Sequence, residues 1–253
     1  MAPGFPLLSI SLILCFFPGI VTAQVIRKSE VSFKASDGLL VTADLYQSKK
    51  NNPYIILFHQ ELSCRGEFDS IASRFVKMDL NCLVVDLRSG DNLNFAKNET
   101  ALRAREEGYS YSLEDASKDM LASIDYVTHI TEKEICLFGS ASSASLALIL
   151  GRNNSKVRAI IAFSPGDYFT PENSLKSILA NYPKPVFVAC TTAEISYLSN
   201  IEGFPGFNKI LFKPTTGEGY RGTIALLEEN PSRDEYWLSL LIFLKPFLKQ
   251  QSD

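Results

Sequence analysis

Short apolar, β-branched runs alternate with segments of helical period from residue 53 to the end of the chain, and this alternation constrains the fold more than any other feature. Strand-like runs fall at 54–58, 82–85, 135–138, 157–163, 186–189 and 209–212. Helix-like stretches lie between them at 68–76, 113–130, 144–150, 174–180 and 195–200. A last helix spans 235–248, where Trp237, Leu240, Leu241, Leu244 and Leu248 recur at helical spacing. Parallel strands need a long crossover, and a helix supplies it. The pattern therefore predicts an α/β fold of right-handed βαβ units, a mostly parallel central sheet with helices on both faces. In front, residues 31–33 and 39–45 flank Asp37-Gly38, a hairpin signal that puts an N-terminal antiparallel β-hairpin at one edge. No linker divides residues 24–253, so they read as one domain. The polar stretch 90–108 reads as an excursion at the strand tips, where such folds bind ligands.

Composition narrows the function classes. Hydrophobic residues make up 46% of the 253, enough for one full core, and the formal net charge is −3. Nucleic acid is not expected as a partner, because it would require clustered Lys and Arg. Residues 1–23 differ from the rest: an apolar run at 7–17, a break at Pro18-Gly19, then Val21-Thr22-Ala23 before Gln24. That is the form of a secretory signal peptide cleaved after Ala23, too short for a stable membrane span, and it predicts a secreted or periplasmic protein. The segment before the apolar run lacks Lys and Arg, so retention as an uncleaved anchor stays as the alternative. Cys64, Cys82, Cys136 and Cys190 remain after cleavage, three of them inside apolar runs, and are expected as free buried thiols. No His/Cys/Asp spacing suggests a metal site, and no cofactor is expected.

One junction has the form of a reactive centre. Ile135-Cys136-Leu137-Phe138-Gly139-Ser140-Ala141-Ser142-Ser143-Ala144 reads as a strand, a tight turn of small residues and a helix. That shape resembles the nucleophile elbow of α/β-hydrolases, Gly-x-Ser-x-Gly, which lifts a serine hydroxyl above the sheet. Ile56-Leu57-Phe58-His59-Gln60 with Arg65-Gly66-Glu67-Phe68, the run 81–90, Asn98-Glu99-Thr100-Ala101, the run 162–169 and Glu235-Tyr236-Trp237 are similar, in order, to a dienelactone-hydrolase-like bacterial subfamily. The resemblance covers residues 30–248 and implies the α/β-hydrolase fold.

The resemblance also implies a site, and the site departs from its pattern. Ala141 falls at the nucleophile position and cannot attack. Glu194, behind the strand 186–189, falls at the acid position, where glutamate can orient an imidazole as aspartate does. Arg221, in Gly219-Tyr220-Arg221-Gly222-Thr223, falls at the histidine position and cannot serve as a general base. The two histidines, His59 and His129, belong to the oxyanion loop and to the helix before the elbow strand. The oxyanion hole would use the Ser142 N–H with one from Gln60 or Glu61, backbone donors that survive side-chain change. The side chains of His59, Glu61 and Tyr220 would line the same space.

Each sharp reading has a plainer companion. Ser142 is a fallback nucleophile, or simply a small hydroxyl that fits a tight turn. Cys64 is a substitute thiol, or an inert loop residue. Glu194 and Arg221 form an ion pair that neutralises the pocket, or present a guanidinium to a ligand carboxylate. Two functions follow. The first is a catalytically degenerate hydrolase homologue (a pseudoenzyme) binding a small-molecule ligand or a protein partner above the elbow. The second is an active serine-type esterase or acyl hydrolase with a rearranged site. Asn98-Glu99-Thr100 and Asn153-Asn154-Ser155 also match glycosylation acceptors, which would matter only in a eukaryotic secretory route.

Overall fold

The computed structural model describes residues 25–248 apart from Asn94 and Glu202, so the signal peptide expected at 1–23 lies outside the described residues. β1 (Arg27–Lys34) and β2 (Leu40–Gln47) form the antiparallel hairpin, with Val31 opposite Ala43. There follow β3 (Tyr54–Phe58), α1 (Asp69–Lys77), β4 (Asn81–Val85), α2 (Glu99–Glu106), α3 (Ala116–Ile130), β5 (Ile135–Ser140) and α4 (Ser142–Arg152). The second half adds β6 (Val157–Phe163), α5 (Leu175–Leu179), β7 (Val186–Ala189), α6 (Thr192–Leu198), β8 (Lys209–Phe212) and α7 (Arg233–Leu248). The eight strands lie in the order β1-β2-β4-β3-β5-β6-β7-β8. Strands β3 to β8 are mutually parallel, and the expected hairpin sits at one edge.

Alternate residues of each central strand feed two cores. Tyr54, Ile56 and Phe58 of β3, with Ile135 and Leu137 of β5, pack beneath α3 and α4. Ile55 and Leu57, with Cys136 and Phe138, pack beneath α1 and α7. A period of two with both faces apolar is what a strand covered on both sides requires, and it explains the unbroken apolar runs. Among the described residues the four cysteines, Cys64, Cys82, Cys136 and Cys190, are free and buried. No helix among the described residues is long and apolar enough to cross a membrane.

Three elements differ from expectation, each for a visible reason. The hairpin strand expected at 31–33 runs the full Arg27–Lys34, because its edge position leaves polar residues exposed and the apolar alternation faint. The stretch 90–108 contains α2, whose sequence buries only Thr100, Ala101 and Ala104 and so shows little period. Its N-cap is Asn98, which accepts the Ala101 N–H at 2.8 Å and donates to the carbonyls of Ser63 and Leu87. Asn98 is fully buried in that role, which removes it as a glycosylation acceptor in the folded chain. Finally, α6 begins at Thr192, earlier than the expected 195, because Thr191 and Glu194 form a capping box.

Candidate functional site

Strand β5 ends against α4 with almost no space between them. A Cβ on Gly139 would lie 2.4 Å from the Ser143 carbonyl oxygen and 2.5 Å from the Ala144 Cα, so only glycine fits there. The turn itself is made by Ala141, at φ 52° and ψ −114°, a conformation that favours glycine and costs another residue on the order of 1–3 kcal/mol. The Ala141 N–H bonds the Phe163 carbonyl at 2.8 Å, which ties the turn to β6. Ser143 stands where the resemblance leads one to expect glycine, and its hydroxyl is absorbed by the His59 carbonyl at 2.5 Å. This is elbow geometry, with a methyl group at its apex.

The loop bearing Arg221 is fastened beside the elbow by its backbone. The Gly222 N–H donates to Ser164 Oγ at 3.1 Å, and the Thr223 N–H to Ser140 Oγ at 3.3 Å. Ser164 Oγ in turn donates to Glu194 Oε2 at 3.1 Å. Glu194 also accepts the Thr191 N–H at 2.8 Å as part of the capping box, so its carboxylate closes a helix end as well as facing the loop. Arg221 Nε lies 3.9 Å from Glu194 Oε1, and the arginine side chain is 60% exposed. Its Nη2 instead donates to the Tyr168 hydroxyl. The Glu194–Arg221 contact is therefore a long ion pair rather than a bidentate one, and it is compatible with either reading of the pair.

The oxyanion-loop residues take other places than expected. His59 is fully buried, with Nδ1 2.7 Å from the Gln60 carbonyl oxygen and Nε2 accepting the Leu87 N–H at 2.8 Å. Both nitrogens are thus engaged, and burial pushes the imidazole below the ordinary histidine range, so it stays neutral. It is a structural residue rather than a lining one. The Gln60 N–H is not free for an oxyanion, because it donates to Glu67 Oε2 at 3.2 Å. Glu61 is exposed beside Leu62, whose φ is 57°. Tyr220, beside Arg221, is 42% exposed. His129 lies in the last turn of α3, bonded through Nδ1 to the Asp125 carbonyl, at the opposite end of the strands from the elbow.

Neither substitute nucleophile has the company it would need. The Ser142 hydroxyl is buried and makes no hydrogen bond, so no base takes its proton. The Cys64 thiol is buried against the Ala96 carbonyl at 3.7 Å, and burial raises its pKa, which keeps it a thiol.

Sequence reasoning gave no role to Glu67, Ser164, Tyr168 or Thr223. Glu67 is a buried carboxylate that binds the Gln60 N–H and the Thr223 hydroxyl, at 2.5 Å, and so joins the oxyanion loop to the Arg221 loop. Arg65-Gly66-Glu67-Phe68 and the run 162–169 were both visible as matching segments. What they lacked was a signal for long-range partners, since Glu67 and Thr223 are 156 residues apart.

No family model matches the chain, and none of the curated proteins compared with it does. Solved structures do match in shape. An esterase from Pyrococcus furiosus superposes with a TM-score of 0.65 at 14% identity, over 88% of this chain and 92% of its own. A dienelactone hydrolase from Anabaena variabilis gives 0.64 at 14% identity, over 90% of this chain and 100% of its own. An acylaminoacyl peptidase from Pyrococcus horikoshii gives 0.63 at 14% identity, over 90% of this chain and 42% of its own.

Proposed function

The chain has the α/β-hydrolase fold of the dienelactone-hydrolase-like kind, and we propose that it is a catalytically degenerate member of that architecture, a pseudoenzyme that binds a small ligand or a protein partner above the elbow. The observation that carries this reading is Ala141, held at φ 52° in a nucleophile's backbone geometry with no heteroatom to use it. Arg221, in the loop fastened beside Glu194, adds a second loss: a permanently protonated guanidinium cannot accept a proton. A triad member lost alone already costs on the order of 10⁴–10⁶ in rate.

Binding capacity outlives those losses. The Ser142 N–H opens α4, where no intrahelical carbonyl is available to it, and a ligand carbonyl or carboxylate oxygen resting above Ala141 would accept from it. The exposed guanidinium of Arg221 keeps donors for a ligand carboxylate. Gln24 is the mature N-terminus on this reading, which places the protein outside the cytoplasm, secreted or periplasmic.

The test is hydrolysis of short-chain nitrophenyl esters by the mature protein beside an Ala141→Ser, Arg221→His double variant. A silent wild type with an active double variant is expected. Wild-type turnover abolished by Ser142→Ala or Cys64→Ala would overturn the reading and identify a rearranged acyl hydrolase.

A further inference from the structure

Helix α7 buries Tyr236, Trp237, Leu240, Leu244 and Phe247, and turns a second stripe outward. Leu238, Leu241 and Ile242 are 59%, 43% and 60% exposed. With exposed Asp234 and Lys245 they stand at i, i+4, i+7, i+8 and i+11, one continuous face. A single exposed leucine is ordinary, but two leucines and an isoleucine on one helix face form a patch. The patch also has a neighbour. A cleft of about 240 Å³ opens between Pro185, Asn208 and Ile210 on one side and Ile242, Phe243 and Phe247 on the other. Phe207, 91% exposed, directly precedes Asn208 at its rim.

The order of residues along this face selects the occupant. It reads acid, leucine, leucine-isoleucine, lysine, from Asp234 to Lys245. The Asp234 carboxylate is 79% exposed, with only long contacts to Arg74 and Arg233, at 3.6 and 3.7 Å. We infer that this face is a two-fold contact with a second copy of the chain, its α7 helices antiparallel. A two-fold axis midway between Asp234 and Lys245 sets each Asp234 against the other copy's Lys245. The same axis sets Leu238 against Leu241 and leaves Ile242 beside the cleft. Such an isologous contact is self-complementary in both charge and apolarity. A lipid surface fits less well, since interfacial helices carry basic polar faces and this one begins with Asp234 and Glu235. A stripe of twelve residues, about 17 Å long, is smaller than a standard interface, so the dimer is expected to be weak, with a dissociation constant on the order of micromolar.

Sedimentation equilibrium of the purified protein across the micromolar range tests this. A reversible monomer–dimer equilibrium is expected, and Leu241→Asp with Ile242→Asp should weaken it by about a hundredfold or more. Lys245→Glu and Asp234→Lys should each weaken it by on the order of tenfold. An equimolar mixture of those two single variants should recover dimer, because in the mixed pair both charge contacts are again opposite. That recovery also shows the variants to be folded. A monomer at all concentrations overturns the inference. So does a dimer insensitive to the four substitutions, or a mixture that stays monomeric. A monomeric protein that instead sediments with anionic phospholipid vesicles would assign the face to a membrane surface.

Discussion

The elbow between β5 and α4 and the corner between Glu194 and Arg221 lie at the same end of the sheet, yet different forces hold them. At the elbow the constraint is steric and involves backbone: Gly139 meets the Ser143 carbonyl, and Ala141 accepts an unfavourable φ because β5, β6 and α4 fix the chain on either side. At the corner the constraint is polar and local. Glu194 stays because it caps α6 and receives the Ser164 hydroxyl, while Arg221 swings out to Tyr168. Backbone packing therefore fixes the elbow whatever side chain stands at its apex, whereas the corner depends on which side chains bond across it. Glu194 has a second task beside its long contact with Arg221, in the cap of α6, while Arg221 reaches out to the Tyr168 hydroxyl.

The comparison breaks first at Gly139. Gly139→Val would drive a branched side chain into the backbone of α4, and should cost about 3 kcal/mol or more in chemical denaturation. A loss below about 1 kcal/mol would mean that the β5–α4 junction can relax, and that the strained turn is not imposed by packing.

Glu194→Ala comes next. It removes the carboxylate that accepts the Thr191 N–H and the Ser164 hydroxyl, and should cost about 1–2 kcal/mol. If stability is unchanged, the second task assigned to Glu194 is not the reason for its presence, and a role in ligand binding gains ground.

The sheet and the elbow are readable in the sequence, and what is not readable has separate physical causes. The alternation of apolar runs with helical segments predicted the parallel sheet because strands covered on both faces must be apolar at consecutive positions. The elbow was readable because its requirement for small residues is local. Helix α2 was hidden by its exposed, charged sequence, and the start of α6 was hidden although Thr191 and Glu194 carry a capping-box signature. That signature competes with the acid position that the resemblance gives to Glu194. The engagement of the Gln60 N–H by Glu67, and of Arg221 by Tyr168, could not be read at all. Side-chain bonds across 7 or 53 residues depend on how loops are seated, and loop seating leaves no periodic trace.

The smallest effects separate the two regions most cleanly. Ala141→Gly should stabilise the protein by about 1 kcal/mol, because glycine adopts the turn's positive φ without strain and also suits an N-cap. On the proposed reading the exchange costs no turnover, so a gain in melting temperature with unchanged ligand binding would be the mark of an elbow that has only its shape. Arg221→Ala should shift stability by less than about 0.5 kcal/mol, since its side chain is mostly solvated and its contact with Glu194 is long. A loss of several times that would show the Tyr168 bond to be structural. A loss confined to ligand affinity would make Arg221 the corner's remaining working residue.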